Sequence, residues 1–434
     1  MIRNSVILFI IALLIRILYI FFFVEAEYLL IEDQGGYAQL GQQFTESGFL
    51  GGAPERVQGY PFFISLVYSL FGENLWNVIL AQSILDSISC VIIAIMATSI
   101  FKRGFWIAGI ISAMNLNMII ISASFLTDSL FLFLFILFLY SLINYLQNER
   151  VNWLILSVFF ISIATLVRSS TIYLLPILLV ILAGWRFWSG DSVLKVSALV
   201  LLYLTIVGVV LGGVYHRNYQ KYDSIGLVSQ SGRHLIGWVI PATYQYSGQG
   251  SYQKGQKIAK ERLASSIKRD NLVTLPQNPF KDSAYQTNVG KEILFEFGFV
   301  NILKAWIVGA VVNLSAPSVV YSPYVRLMEH SSYYETKGDG IVDKLSNYMK
   351  NSSSFIYILI LSIGTVISVL FTILSVIGVF KMSPIFSPII VIVLLIIIGY
   401  FLAITGPIIG LKYRLPIEPV LTLFATYAIE KWKK

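Results

Sequence analysis

Charge is what this sequence has least of. Asp, Glu, Lys and Arg together make up 12% of its 434 residues, about half the share of a soluble domain. Cysteine is nearly absent. The single thiol, Cys90, excludes an internal disulfide, and within its apolar run it indicates neither a metal site nor a nucleophile. The three histidines, His216, His234 and His330, are scattered without ligand spacing. There is no P-loop and no Gly-rich turn after a strand. A group donor would therefore be lipid-borne rather than a nucleotide. Internal repeats, heptad arrays and low-complexity tracts are missing as well.

What is present is apolar. Hydrophobic residues form 56% of the chain, gathered in runs of about 20, the length that crosses a bilayer. Lipid offers no hydrogen-bond partners, so such runs must be helices or a closed barrel. They are continuous rather than alternating, which selects helices. The fold class is all-α polytopic membrane protein, with about ten to twelve transmembrane helices, interfacial helices and a polar outer loop region. The net charge of +8 reads as positive-inside anchoring and not as nucleic-acid binding.

Arg3 places the N-terminus in the cytoplasm, and the first run, 5–24, is too long for a signal peptide. An outer loop, 25–74, follows, with a short apolar stretch at 62–71 that reads as interfacial or re-entrant. Further spans are expected at 75–100, 105–122, 130–146, 153–167, 172–188, 196–215, 355–380, 388–405 and 413–429. Between them, 216–354 is polar except for 299–320. If 299–320 crossed alone, Lys381 and the lysine-rich tail would fall outside, against the positive-inside rule. That segment should lie in the interface or dip in and out. The chain thus divides into an N-terminal membrane module (1–215), an outer loop or cap (216–354) and C-terminal membrane helices (355–434). Tyr, Gln and Ser richness in 216–298 suggests a cap or substrate-facing loop.

The topology leaves cations on the side where they should be scarce. Arg56, Arg168, Arg217, Lys412 and Arg414 all fall at outer span ends. Cations so placed can hold a phosphate at the membrane surface, Arg bidentately. Carboxylates share that face: Glu25, Glu27, Glu32, Asp33 and Asp128. A carboxylate beside a phosphate-binding cluster suits transfer of a sugar from a lipid phosphate. The carboxylate takes the acceptor's proton, and the cations stabilise the departing phosphate. Arg16 lies inside the first span and must face a partner or a cavity.

Several of these stretches, in order, resemble the C-type glycosyltransferases, in the branch of the protein O-mannosyltransferases and the lipid A aminoarabinose transferases. Asp33 with Tyr37 is similar to the family's outer Asp and following Tyr. Arg56-Val-Gln-Gly-Tyr-Pro61 resembles R-x-P-G-Y-P, with Gln58 for the first Pro. Ser124-Phe-Leu-Thr-Asp-Ser129 resembles the second acidic motif. Thr165-Leu-Val-Arg-Ser169 resembles the Arg at the end of the fifth span, with Ser169 for a common Pro. Arg217-Asn218-Tyr219 fits, and Lys412-Tyr-Arg-Leu-Pro416 resembles R-Y-R-x-P, with Lys for the first Arg.

The resemblance implies an inverting transfer from a polyprenyl-phosphate sugar at the outer membrane face, to a lipid, glycan or protein acceptor. Asp33 would be the base, Glu32 a neighbour able to share that role, and Asp128 a second acidic residue shaping the site. Arg56, Arg168, Lys412 and Arg414 would line the phosphate side, and Tyr37, Tyr60 and Arg217 the pocket. No metal site is expected, although Asp33 with Asp128 could hold a divalent cation. The implied setting is a bacterial cytoplasmic membrane with the site facing outward. A flippase for lipid-linked saccharide, or a surface-polysaccharide polymerase or ligase, is the competing reading. A transporter, however, should carry its charges near the bilayer midplane.

Overall fold

The computed structural model describes residues 1–30, 33–48, 53–329, 336, 346–350, 355–382 and 388–432. Among them every regular element is helical. The first is α1 (Ile2–Phe23), 22 residues long and so about 33 Å at 1.5 Å per residue, enough for the hydrocarbon core. Next come α2 (Asp33–Ser47), α3 (Gly59–Phe71), α4 (Leu75–Phe101), α5 (Phe105–Ala113) and α6 (Leu116–Ser122). They are followed by α7 (Asp128–Asn148), α8 (Val151–Val167), α9 (Leu174–Trp188) and α10 (Val193–Tyr222).

Among the described residues seven helices are long and apolar enough to span a bilayer, or up to nine if each of two bent pairs is one span. The chain is a multi-pass membrane protein. The count is a little lower than the sequence suggests, because some apolar runs are shorter or bent. The run at 105–122 breaks at Met114 into α5 and α6, which meet at 51°. Asn115 opens the second half by accepting from the Met118 amide at 3.2 Å. α8 has 17 residues and α3 has 13.

α7 is the hub. Of its apolar stretch 83% is buried, against 11% for α10. Phe131, Phe135 and Phe138 of α7 are buried, the first two stacked with centroids 5.6 Å apart and the last two tilted at 5.2 Å. The apolar side chains of α10 face outward, as suits a helix whose solvent is lipid.

Much of the stretch expected as an outer loop or cap is helical. It comprises α11 (Ser231–His234), a π-turn at Leu235–Val239, α12 (Ile240–Tyr246), α13 (Tyr252–Arg269) and α14 (Pro279–Phe297). Ile236, Ile240, Ala259, Val289 and Ile293 give it a small core of its own. Gly232 lets α11 sit against α14: a Cβ there would lie 2.3 Å from the Ser283 carbonyl oxygen. The apolar segment after the cap is α15 (Phe299–Ser315), which turns 101° away from α14.

The C-terminal helices are α16 (Phe355–Met382), α17 (Pro388–Thr405) and α18 (Glu418–Trp432). α18 begins later than expected, because residues 406–417 first fold back into the bundle. Asn115 and Asn117, at the break between α5 and α6, donate to the Glu418 carboxylate at 2.9 and 2.8 Å. α18 therefore starts at the depth of that break. Its far end meets α5's entry through Arg103 and Glu430, 3.3 Å apart.

Candidate active site

The site is assembled where several helix ends meet. Asp33 is the first residue of α2 and Asp128 the first of α7. A helix N-terminus favours a carboxylate through its unpaired amides and dipole. Arg168 follows the last residue of α8. Gly59 admits α3 against the same helix end, since a Cβ there would stand 2.6 Å from the Leu166 carbonyl oxygen.

Each aspartate is held by its own guanidinium. Arg56 donates to Asp33 at 2.7 Å, in an open pair with Asp33 about half exposed. Arg168 pairs with Asp128, which is almost fully buried. Arg168 also donates to the Lys412 backbone carbonyl at 3.2 Å, drawing the 411–414 turn to the same corner. Lys412 lies over the Tyr413 ring at 5.6 Å, and the Arg168 guanidinium stands 5.9 Å from that ring.

Tyr37 joins the two pairs. The Arg56 guanidinium covers its ring at 4.2 Å. Burial raises the Tyr37 phenol above its ordinary value, Arg56 opposes, and the nearby charges of Asp128 and Asp33 add to the rise. Burial works against the Arg56 charge, but Tyr37 and Asp33 outweigh it and raise its pKa. Behind Tyr37 stands Tyr60, its ring edge-on at 5.3 Å and its hydroxyl donating to Gln82 at 2.5 Å. Gln82 also binds the Ser124 carbonyl at 2.8 Å, and Gln34 accepts from the Phe125 amide at 2.7 Å. These bonds lock α2 and α4 to the loop before Asp128.

The structure therefore brings Asp33, Arg56, Tyr37, Tyr60, Asp128, Arg168 and Lys412 together. Glu32 lies outside the described residues. Two expectations need correction. Arg414 does not reach the open face. It is buried and bonded to Glu418 at 2.6 Å, to the Leu314 carbonyl at 2.5 Å and to Ser368. Arg217, expected in the pocket, is buried and binds the side chain of Asn218, whose amide holds the Gly226 and Leu227 carbonyls. Both arginines hold chain turns: the polar outer end of a span marks a candidate but does not say which way the side chain points.

Among the described residues no group of three or more His, Cys, Asp or Glu could hold a metal ion. At Asp33 and Asp128 a guanidinium stands where a cation would bind. The sequence reading does not single out Gln82 or Gln34. The first is readable as a lone amide inside an apolar span, which needs a partner. Gln34 carries no signal of that kind.

No curated protein sequence matches the chain. Among solved structures it is similar to ArnT from Cupriavidus metallidurans bound to undecaprenyl phosphate, at 13% identity over 98% of this chain and 76% of that one, with a TM-score of 0.39. Residues 58–211, which hold Gly59-Tyr60-Pro61, Asp128 and Arg168, match the dolichyl-phosphate-mannose-protein mannosyltransferase family, and over that stretch the resemblance to this family is shown.

Proposed function

We propose that the chain is a membrane glycosyltransferase that moves a sugar from a polyprenyl-phosphate donor to an acceptor hydroxyl, at a site facing out of the cytoplasmic membrane. The observation that carries this reading is the pairing of two aspartates with two arginines around one tyrosine, with Lys412 alongside. Asp33 is the more open carboxylate, so it is the one an incoming hydroxyl can reach. It accepts the hydroxyl proton as oxygen attacks the anomeric carbon. The bond from that carbon to the phosphate oxygen breaks on the opposite side, and its electron pair leaves with the lipid phosphate. The sugar configuration inverts.

Arg168, Lys412 and Arg56 take the phosphate charge. Guanidinium–phosphate bonds are strong because they are charge-assisted and often bidentate. Fixed cations do not reorganise as charge develops. Asp128 is buried against Arg168 and orients it. Arg414 acts from behind, by holding the turn that presents Lys412. The acceptor is a lipid, glycan or protein hydroxyl.

The test uses purified protein in detergent with a panel of radiolabelled polyprenyl-phosphate sugars and crude envelope as acceptor. Free lipid phosphate is followed for wild type and Asp33→Asn. Release that depends on Asp33 supports the reading. No release from any donor overturns it and moves the weight to a flippase of lipid-linked saccharide.

A further inference from the structure

Gln82 belongs to neither ion pair of the site, yet it is bonded to a neighbour of each. It is fully buried in α4. Its Nε2 donates to the Ser122 and Ser124 carbonyls at 3.2 and 2.8 Å. Carbonyls only accept, so the amide nitrogen must face them. The amide oxygen is left for the Tyr60 hydroxyl, which donates to it at 2.5 Å. Both ends of the amide are therefore spent, on groups from two distant parts of the chain.

On the Tyr60 side the contacts run on to Asp33. Tyr60 stands edge-on to Tyr37, Tyr37 carries the Arg56 guanidinium at 4.2 Å, and Arg56 donates to Asp33. On the other side they run to Asp128, through the loop that opens α7. That loop is pinned. The Ser124 carbonyl also accepts the Leu126 amide at 2.8 Å. Ser129, which follows Asp128, donates through its hydroxyl to the Ile121 carbonyl at 3.0 Å. Asp128 then holds Arg168. The Phe125 ring closes the gap between the two sides, meeting Tyr60 edge-on at 6.1 Å. The amide thus bridges the half of the site with the open carboxylate and the half with Arg168.

We infer that Gln82 is a positioning residue for transfer. It sets the spacing between the Asp33–Arg56 pair, where the acceptor hydroxyl loses its proton, and the Asp128–Arg168 pair, where the phosphate leaves. The inference rests on the reaction proposed above. Each half keeps its own binding groups when the spacing is lost. Attack and departure must nevertheless lie on one line, and a misplacement of about 1 Å can cost roughly 10²-fold in rate. The signature of such a residue is a fall in kcat at nearly constant donor KM.

Release of lipid phosphate would be followed for wild type, Gln82→Leu, Tyr60→Phe and the double variant, well below the melting point of each. Gln82→Leu should lower kcat by roughly 10–10²-fold with donor KM near that of wild type. Tyr60→Phe, which breaks only one arm of the bridge, should lower kcat less. The double variant should lose no more than Gln82→Leu alone, since both changes cut one connection. If Gln82→Leu does not fold, Tyr60→Phe carries the test by the same split of kcat from KM. Lower melting with wild-type kcat would make Gln82 a helix tie only and overturn the inference. So would a rise in KM at constant kcat, or losses that simply add in the double variant. These outcomes leave the donor reading in place, because wild type turns over. A wild type that releases lipid phosphate from no donor overturns both.

Discussion

Two arginine–carboxylate pairs packed inside the bundle and two at its site end differ in how their remaining bonds are used. Deep in the membrane, Arg16 meets Asp86 at 2.5 Å and also donates to the Ala12 and Ala113 carbonyls and to Cys90. Arg414 meets Glu418 and is likewise committed to Leu314 and Ser368. At the site end, Arg56 has Asp33 and Arg168 has Asp128, with both arginines partly open. The residue types are the same. The deep pairs are closed and tie helices together, whereas the site pairs keep donors that an incoming anion can use. Presence of a charge near a span end is therefore a weaker sign of function than unspent hydrogen-bonding capacity.

The largest effect should come from the open side of this comparison. Asp33→Asn keeps the shape but removes the base, and should reduce transfer by roughly 10²–10⁴-fold with insertion and melting intact. Release of lipid phosphate under saturating donor measures it. If turnover were normal, Asp33 would not be the base, and the open pair would have no more claim on chemistry than the closed ones.

The closed side should respond in stability. Arg16→Leu leaves Asp86 buried without its counter-ion, which typically costs about 3–5 kcal/mol. Adding Asp86→Leu removes the stranded charge, and the double variant should regain most of the loss. Unfolding in detergent separates the two outcomes. Should the single variant melt like wild type, the pair would not be the tie between α1, α4 and α5 that its geometry implies.

Lys412 and Arg414 test the division two residues apart. Arg414→Ala leaves the Glu418 carboxylate with only the two asparagine donors and should destabilise by about 2–3 kcal/mol, since hydrogen bonds to charged groups contribute about 1.5–3 kcal/mol each. Lys412→Ala should leave melting unchanged and weaken donor binding several-fold. Donor KM and thermal melting, measured on both variants, distinguish them. A reversed pattern would put Arg414 back among the phosphate-facing cations.

Much of this was legible in the sequence, and the limits have physical causes. Apolar runs determine helices because lipid leaves the backbone no other partner, so α1, α4, α7, α16 and α17 lie close to where hydropathy puts them. Asp33, Arg56, Asp128 and Arg168 stand at element ends that the polar punctuation reveals, and the fold brings them together. The buried roles of Arg414 and Arg217 were not legible, because which way a span-end arginine points depends on distant chain: Leu314 and Ser368 in one case, the 226–227 turn held through Asn218 in the other. Asp86 could have been found as the partner of Arg16, as the one acidic residue in the α4 run. The individual helices of the cap were not legible because they are polar and bury only a small core.

A pH dependence separates the cap from the bundle. The folded-state value of about 4 for His234 lies below the ordinary histidine value of about 6.5. Between those two values the unfolded chain binds a proton that the folded chain does not, so stability rises with pH there and is lost as pH falls. The slope for one group is at most about 1.4 kcal/mol per pH unit, and above about pH 7 the contribution is flat. His234→Gln should flatten the fall in melting temperature between pH 6.5 and 4.5 relative to wild type. Carboxylates elsewhere titrate in both proteins and cancel in the difference. An unchanged acid limb would mean that the imidazole is solvated in the folded protein and that burial does not hold it neutral.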